Sequence, residues 1–138
     1  MSSWILDTDI FTLLYHQQSS VVMKALTCPA NSVCITVVTV EEALSGRYAQ
    51  IRRAREGSDV IAAYRRLREA FDLLRLFPIL DFDEIAQERF EILRASHRRI
   101  GSNDLRIAAI ALETGATLVS RNRTDFEPIS GLTLEDWS

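Results

Sequence analysis

Five short apolar segments, WIL (4–6), SVCIT (32–36), FPIL (77–80), TLVS (117–120) and LTLE (132–135), alternate with longer stretches of helical spacing. Parallel strands need long crossover connections, usually helices, so this alternation predicts a parallel sheet covered on both faces. In VIAAYRRLREAFDLLRLF, the residues Val60, Tyr64, Leu67, Phe71 and Leu74 recur every three or four positions and predict one apolar stripe, with Arg65, Arg66 and Arg68 off it. Gly57-Ser58 divides that helix from the one before, and Gly115 stands where a helix should stop ahead of TLVS. With 138 residues, 47% of them hydrophobic, and no internal repeat or separating linker, the chain is expected to build one core: a single domain over 1–138.

The runs VCITVV and IAAIAL fall well short of the roughly 20 residues that cross a bilayer, and the N-terminus lacks a secretory pattern, so a cytoplasmic location and no membrane are expected. Cys28 and Cys34 have neither C-x-x-C spacing nor accompanying histidines and read as buried thiols of a reducing compartment.

The segment WILDTDIF sets two acids, Asp7 and Asp9, directly behind the first strand. If WIL is a central parallel strand, Asp7 lies at its carboxyl end, the edge of an open α/β sheet where ligands bind. Acids recur at similar junctions: Glu41 and Glu42 in ITVVTVEEALSG, Asp104 in IGSNDLRIAAIALETG, and Asp125 in TLVSRNRTDF. Each has a local explanation. Thr39 and Glu42 form the pattern of a capping box; Asp104, behind Ser102 or Asn103, suits a helix N-terminus; Asp7 or Asp9 can cap a helix beginning near Ile10; Asp125 fits a turn. Taken together, they should converge on one sheet edge. Carboxylates so gathered repel one another, and a hard divalent cation relieves that repulsion. Oxygen donors alone favour Mg²⁺ or Mn²⁺, whereas zinc would want cysteine and histidine.

The net charge of -3 conceals a basic band. Between Arg47 and Arg75 stand eight arginines (47, 52, 53, 55, 65, 66, 68 and 75) against four acids (Glu56, Asp59, Glu69 and Asp72), a local +4. Arginine forks grip phosphates or carboxylates, so Arg47, Arg52, Arg53, Arg65, Arg66 and Arg68 are candidate contacts for a polyanion or an acidic partner; the plain alternative is a solvated helix face. His16 and His97 lie away from the acidic motifs, and His97 continues the face of Ala86, Phe90 and Leu93 as a helix residue.

ILDTDIFTLL, ITVVTVEEALSG, GSNDLRIAAIALETGATLVSRNRTDF and the closing GLTLEDW together resemble the PIN-domain ribonucleases, specifically the VapC toxins of bacterial toxin–antitoxin pairs, in order and over nearly the whole chain. The resemblance implies a three-layer α/β/α sandwich around a mainly parallel sheet. It also implies a divalent-metal-dependent endoribonuclease, a homodimer, a VapB-type antitoxin as partner, and transfer or ribosomal RNA as substrate. By position, its acids fall on Asp7, Glu42, Asp104 and, in SRNRTDF, on Asp125 in preference to Asn122, which brings no charge. Thr8, Asp9 and Ser120 match supporting polar positions, beside Thr39 and Asn103. One or two Mg²⁺ or Mn²⁺ ions held by these acids would activate water for in-line displacement, with no protein nucleophile.

Two other readings stand beside it. Asp7-x-Asp9 behind an apolar strand is also similar to the haloacid-dehalogenase phosphatases, but Phe11 replaces a small or β-branched residue of that motif, and the only lysine, Lys24, lies in the first helical region. A non-catalytic regulator would keep the fold and bind partners through its arginine helices.

Overall fold

The computed structural model describes residues 2–138. In chain order the elements are β1 (Trp4–Leu6), α1 (Thr8–Tyr15), α2 (Ser19–Thr27), β2 (Val33–Thr36), α3 (Val37–Arg53), α4 (Gly57–Leu74), β3 (Ile79–Leu80), α5 (Glu84–Ser96), α6 (Ser102–Thr114), β4 (Thr117–Val119), α7 (Arg123–Phe126) and β5 (Leu134–Glu135). The strands form one parallel sheet in the order β3-β2-β1-β4-β5. All five coincide with the apolar segments of the sequence. The chain winds outward from β1 through β2 to β3, then returns to β4 on the other side, so the strand order reverses between β1 and β4. That reversal opens a crevice at the carboxyl edge of the sheet.

Alternation along the strands sends successive side chains into two separate cores. Ile5 pairs in register with Cys34 and Leu118, and all three enter a core built with Ala86 and Leu93 of α5 and the apolar face of α6 from Leu105 to Ala111. Leu6, Val33, Ile35 and Val119 point the other way, onto Ile10 and Phe11 of α1, Val21 of α2 and Leu74 of α4. Helices therefore cover both faces, giving three α/β/α layers as expected. Gly115 ends α6 in the left-handed region, at φ 73°, where glycine carries no Cβ penalty. No helix among the described residues is long and apolar enough to cross a membrane. Cys34 is buried and Cys28 half-buried, and both thiols are free.

Three local expectations need correcting. The stripe drawn on α4 has the right period but the wrong phase: Ala63, Ala70 and Leu74 are buried, while Tyr64 and Phe71 remain 56% and 50% exposed. Alanine lets α4 lie close to its neighbours, and the aromatic rings turn instead toward an open cleft shared with Leu44 and Tyr48 of α3. The capping box is also displaced. Helix α3 starts at Val37, its N-cap is Thr36, and the Thr36 hydroxyl accepts from the Thr39 amide at 3.3 Å, leaving Thr39 and Glu42 inside the helix. Finally, α5 stops at Ser96, so His97 caps its C-terminus and opens a loop.

The two cores predict a sharp contrast between positions. Leu118→Ala, at a fully buried site in the central sheet, should cost about 2–5 kcal/mol, whereas Leu26→Ala, at a site 76% exposed, should change stability by less than about 0.5 kcal/mol. Urea unfolding of the two variants checks the difference.

Candidate active site

Asp7 follows β1 and is the N-cap of α1: its Oδ1 accepts from the Ile10 amide at 2.8 Å. The local cap expected for this residue is therefore present, but so is a heavier constraint. Asp7 is only 4% exposed, beside the Ser120 hydroxyl at the end of β4. Burial pushes its carboxyl up to about 6, against the opposing pull of hydrogen bonds from Ser120 and Ile10, and the charges of Asp9 and Asp104 push in the same direction as burial.

The other acids arrive from separate parts of the chain. Asp7, Thr8, Asp9, Thr12, Glu42, Asp104, Arg121 and Asn122 line a single cleft of about 650 Å³. Glu42 reaches it from the second turn of α3, and the Thr8 hydroxyl donates to Glu42 Oε1 at 2.6 Å while lying 3.0 Å from the Thr39 hydroxyl. Thus the threonine placed in a capping box instead helps bind α1 to α3 behind the acid. Asp104 lies in the first turn of α6, and burial together with Glu42, Asp125 and Asp9 raises its pKa. Asn122 rather than Asp125 lines the cleft; its Nδ2 donates to Asp125 Oδ2 at 2.8 Å, and its own amide is held by Ser120 Oγ at 3.0 Å. Asn103 sits one residue before Asp104, where its Oδ1 accepts from Arg106 at 2.8 Å.

Sequence reasoning missed Arg121 and Thr12. Arg121 forms a two-pronged ion pair with Asp9, its Nη2 lying 3.3 Å from Oδ1, across a separation of 112 residues that no local pattern encodes. The arginine band lies elsewhere. Arg47 stacks over the Tyr15 ring at 4.7 Å, Arg68 pairs with Asp72, Arg53 and Arg66 line a separate cleft beside α3 and α4, and Arg52 and Arg65 are exposed. None of the six lines the acidic cleft.

The donor set suits a hard cation. Every acid in the cleft offers oxygen, burial and neighbouring carboxylates raise the pKa of Asp7 and of Asp104, and among the described residues Asp104 alone of the four (Asp7, Asp9, Glu42 and Asp104) has no side-chain hydrogen-bond partner. No three of the acids, among the described residues, stand close enough to grip one ion directly. Direct coordination at this cleft is therefore limited to one or two carboxylates, with waters filling the other positions of a hard cation such as magnesium. The phosphatase reading fares worse: Asp9 is tied to Arg121, and Lys24 lines a different cleft with Cys28, Glu135 and the two tryptophans.

Comparison with known proteins agrees with this architecture. Residues 5–131 match the PIN domain family. Ribonuclease VapC2 of Haemophilus influenzae is 28% identical over 141 aligned residues, 99% of each chain. The tRNA(fMet)-specific endonuclease VapC of Shigella flexneri is 29% identical over 143, all of each chain. The fold superposes on the DNA-bound VapBC of Salmonella typhimurium with a TM-score of 0.82 at 24% identity, covering 100% of both chains. The VapBC2 of Rickettsia felis bound to a promoter DNA fragment gives 0.79 at 23%, covering 98% of both.

The raised carboxyl of Asp7 has a definite sign in stability. The proton is held more tightly in the folded state, so the stabilisation is complete below about pH 4 and is lost as pH rises through about 6. In metal-free buffer, Asp7→Asn keeps a capping acceptor and should flatten the fall in Tm between those values, by up to the order of 3 kcal/mol. Thermal melts of parent and variant across pH 4–7.5 check this, and an unchanged profile would show that Asp7 ionises at no cost.

Proposed function

The chain belongs to the PIN domain family, as a VapC-type ribonuclease toxin of VapBC toxin–antitoxin systems, and on that premise we propose that it cleaves RNA with a divalent cation, Mg²⁺ or Mn²⁺, held directly by one or two of Asp7, Glu42 and Asp104 and through its waters by the others, with Asp125 as a further acid beside Asn122. The observation that carries this reading is the meeting of Asp7, Glu42 and Asp104, from the first, third and sixth helical regions, in one cleft at the carboxyl edge.

The residues divide the work. Asp7 is fixed through Oδ1 by the Ile10 amide and lies beside Ser120, which limits the directions its carboxylate can face. Thr8, backed by Thr39, holds Glu42 toward the same space. Asp104, without a hydrogen-bond partner of its own, is the acid most available to a cation, and Asp125 adds charge to it while steadying Asn122. Arg121 neutralises Asp9, which lowers the repulsion an incoming phosphate meets. When bound, the cation supplies a more acidic water and a counter-charge for the phosphate oxygens in an in-line displacement.

Residues 1–138 form one nuclease domain in this proposal, acting in the cytoplasm, as a homodimer restrained by a VapB-type antitoxin. The relative from Shigella flexneri is specific for tRNA(fMet), which makes transfer RNA the first substrate to try. The exposed arginines of α3 and α4 lie away from the acidic cleft and are assigned to the antitoxin or to outlying RNA.

Purified protein should cut bulk transfer RNA only when Mg²⁺ or Mn²⁺ is present, and Asp7→Asn and Asp104→Asn should each lose at least about 100-fold in rate while still melting cooperatively. Without added metal, Asp104→Asn should melt at or above the parent temperature, and Mg²⁺ should raise the parent Tm by more than it raises that of the variant. Metal-independent cutting, or full activity in both variants, would overturn the assignment.

A further inference from the structure

We propose that a second cleft, between the loop joining α5 to α6 and the segment around α7, binds the phosphate of a nucleotide flanking the scissile bond, with Arg98 and Arg99 as its cations; this rests on the ribonuclease reading above. The cleft has a volume of about 610 Å³ and is walled by residues 95–100 on one side and by Thr124, Asp125 and Pro128 on the other. Asp125 joins it to the acidic site: the carboxylate lines this cleft and accepts from Asn122, which lines the first. The two clefts are thus neighbours along one edge of the molecule. A strand with its scissile phosphate in the first has its next phosphates within reach of the second.

Charge decides what the second cleft holds. An RNA strand brings one negative charge per nucleotide to a site already rich in carboxylates, so its flanking phosphates need cations that are not already engaged. Most arginines near the site are spent. Arg121 is paired with Asp9, Arg123 with Glu127, and Arg106 donates to Asn103 while lying over Phe90 at 4.9 Å. Arg98 and Arg99 are both exposed, and among the described residues neither forms an ion pair.

Their platform is fixed in advance. The Arg94 guanidinium donates to the carbonyls of His97, Arg98 and Ile100, at 3.3, 3.2 and 2.9 Å, and to the Ser102 hydroxyl at 2.9 Å. Ile100 is buried in the core beneath it. One buried residue and one arginine therefore hold the backbone of the whole turn, leaving the neighbouring guanidiniums in water. A preformed turn loses little backbone freedom on binding, so more of the phosphate interaction appears as affinity. The same turn leads into the helix that carries Asp104, which ties the subsite to the reacting centre.

The test measures binding apart from cleavage. Fluorescence anisotropy of a labelled, mixed-sequence single-stranded RNA of about 12 nucleotides is followed on the full chain carrying Asp104→Asn, with Mg²⁺, over a range of salt. Adding Arg98→Ala and Arg99→Ala should raise Kd at least tenfold near 0.1 M salt and reduce the slope of log Kd against log salt by about 1–2. Arg98→Lys with Arg99→Lys should recover most of the affinity, and Arg89→Ala, on the side of α5 facing Glu113, should stay within twofold. A Kd within twofold and an unchanged slope in the double alanine variant would overturn the subsite and leave the ribonuclease reading intact. Failure of the parent chain to cut RNA with Mg²⁺ or Mn²⁺ would overturn both.

Discussion

Mutual repulsion among carboxylates at the carboxyl edge of the sheet is the constraint around which the rest of this molecule is arranged. Asp7 cannot leave the edge, because it ends β1 and caps α1 at the same time. With that charge fixed and nearly buried, the remaining acids have to be managed one at a time. Thr8 donates to Glu42, Arg121 pairs with Asp9, and Asn122 donates to Asp125. Asp104 receives no such help, and burial first, then the charges of Glu42, Asp125 and Asp9, raises its pKa. A cluster serving only to cap helices would need none of this, since single acids at separate helix starts are stable alone.

Much of the architecture was legible because strands and crossover helices write different periods into the sequence. WIL, SVCIT, FPIL, TLVS and LTLE are short, mostly apolar and separated by longer helical stretches, and each contains a strand. The acidic junctions were legible for the same reason: once β1 is central, topology rather than contact data brings Asp7, Glu42 and Asp104 to one edge. What stayed hidden was whatever depended on local phase or on long-range pairing. TVVTV offers hydroxyls at both Thr36 and Thr39, and only the direct passage of β2 into α3, without a loop, selects Thr36 as the cap. In α4, apolar residues occur on more than one face, so periodicity could not reveal that the small Ala63 and Ala70 would be buried in preference to Tyr64 and Phe71.

Composition said least about where charge would be placed. Counting arginines drew attention to the band from Arg47 to Arg75, where they are most numerous, yet proximity to the site and freedom from partners matter more than number. Arg47 is half-buried against Tyr15, and Arg68 and Arg75 both engage Asp72. The short run HRR, at the end of what reads as a helix, carries fewer charges but places them in a cleft shared with Asp125. Only the early stop of α5 at Ser96 turns those residues into a loop.

On the ribonuclease reading, that arrangement sets stability against activity. The charges at the cleft cost folding free energy whenever they are ionised and uncompensated, and neutral amides at the same positions would relieve that cost. Natural proteins retain such groups where binding returns the energy: a ligand that meets the charges only in the folded state stabilises it by mass action, by an amount set by its concentration over its Kd. The repulsion therefore acts as stored affinity for positive charge, delivered at one edge of the sheet. On the proposed reading, an RNA strand approaching that edge would meet the opposite field until a cation had entered, so the acidic cleft would favour binding the cation first and the polyanion second.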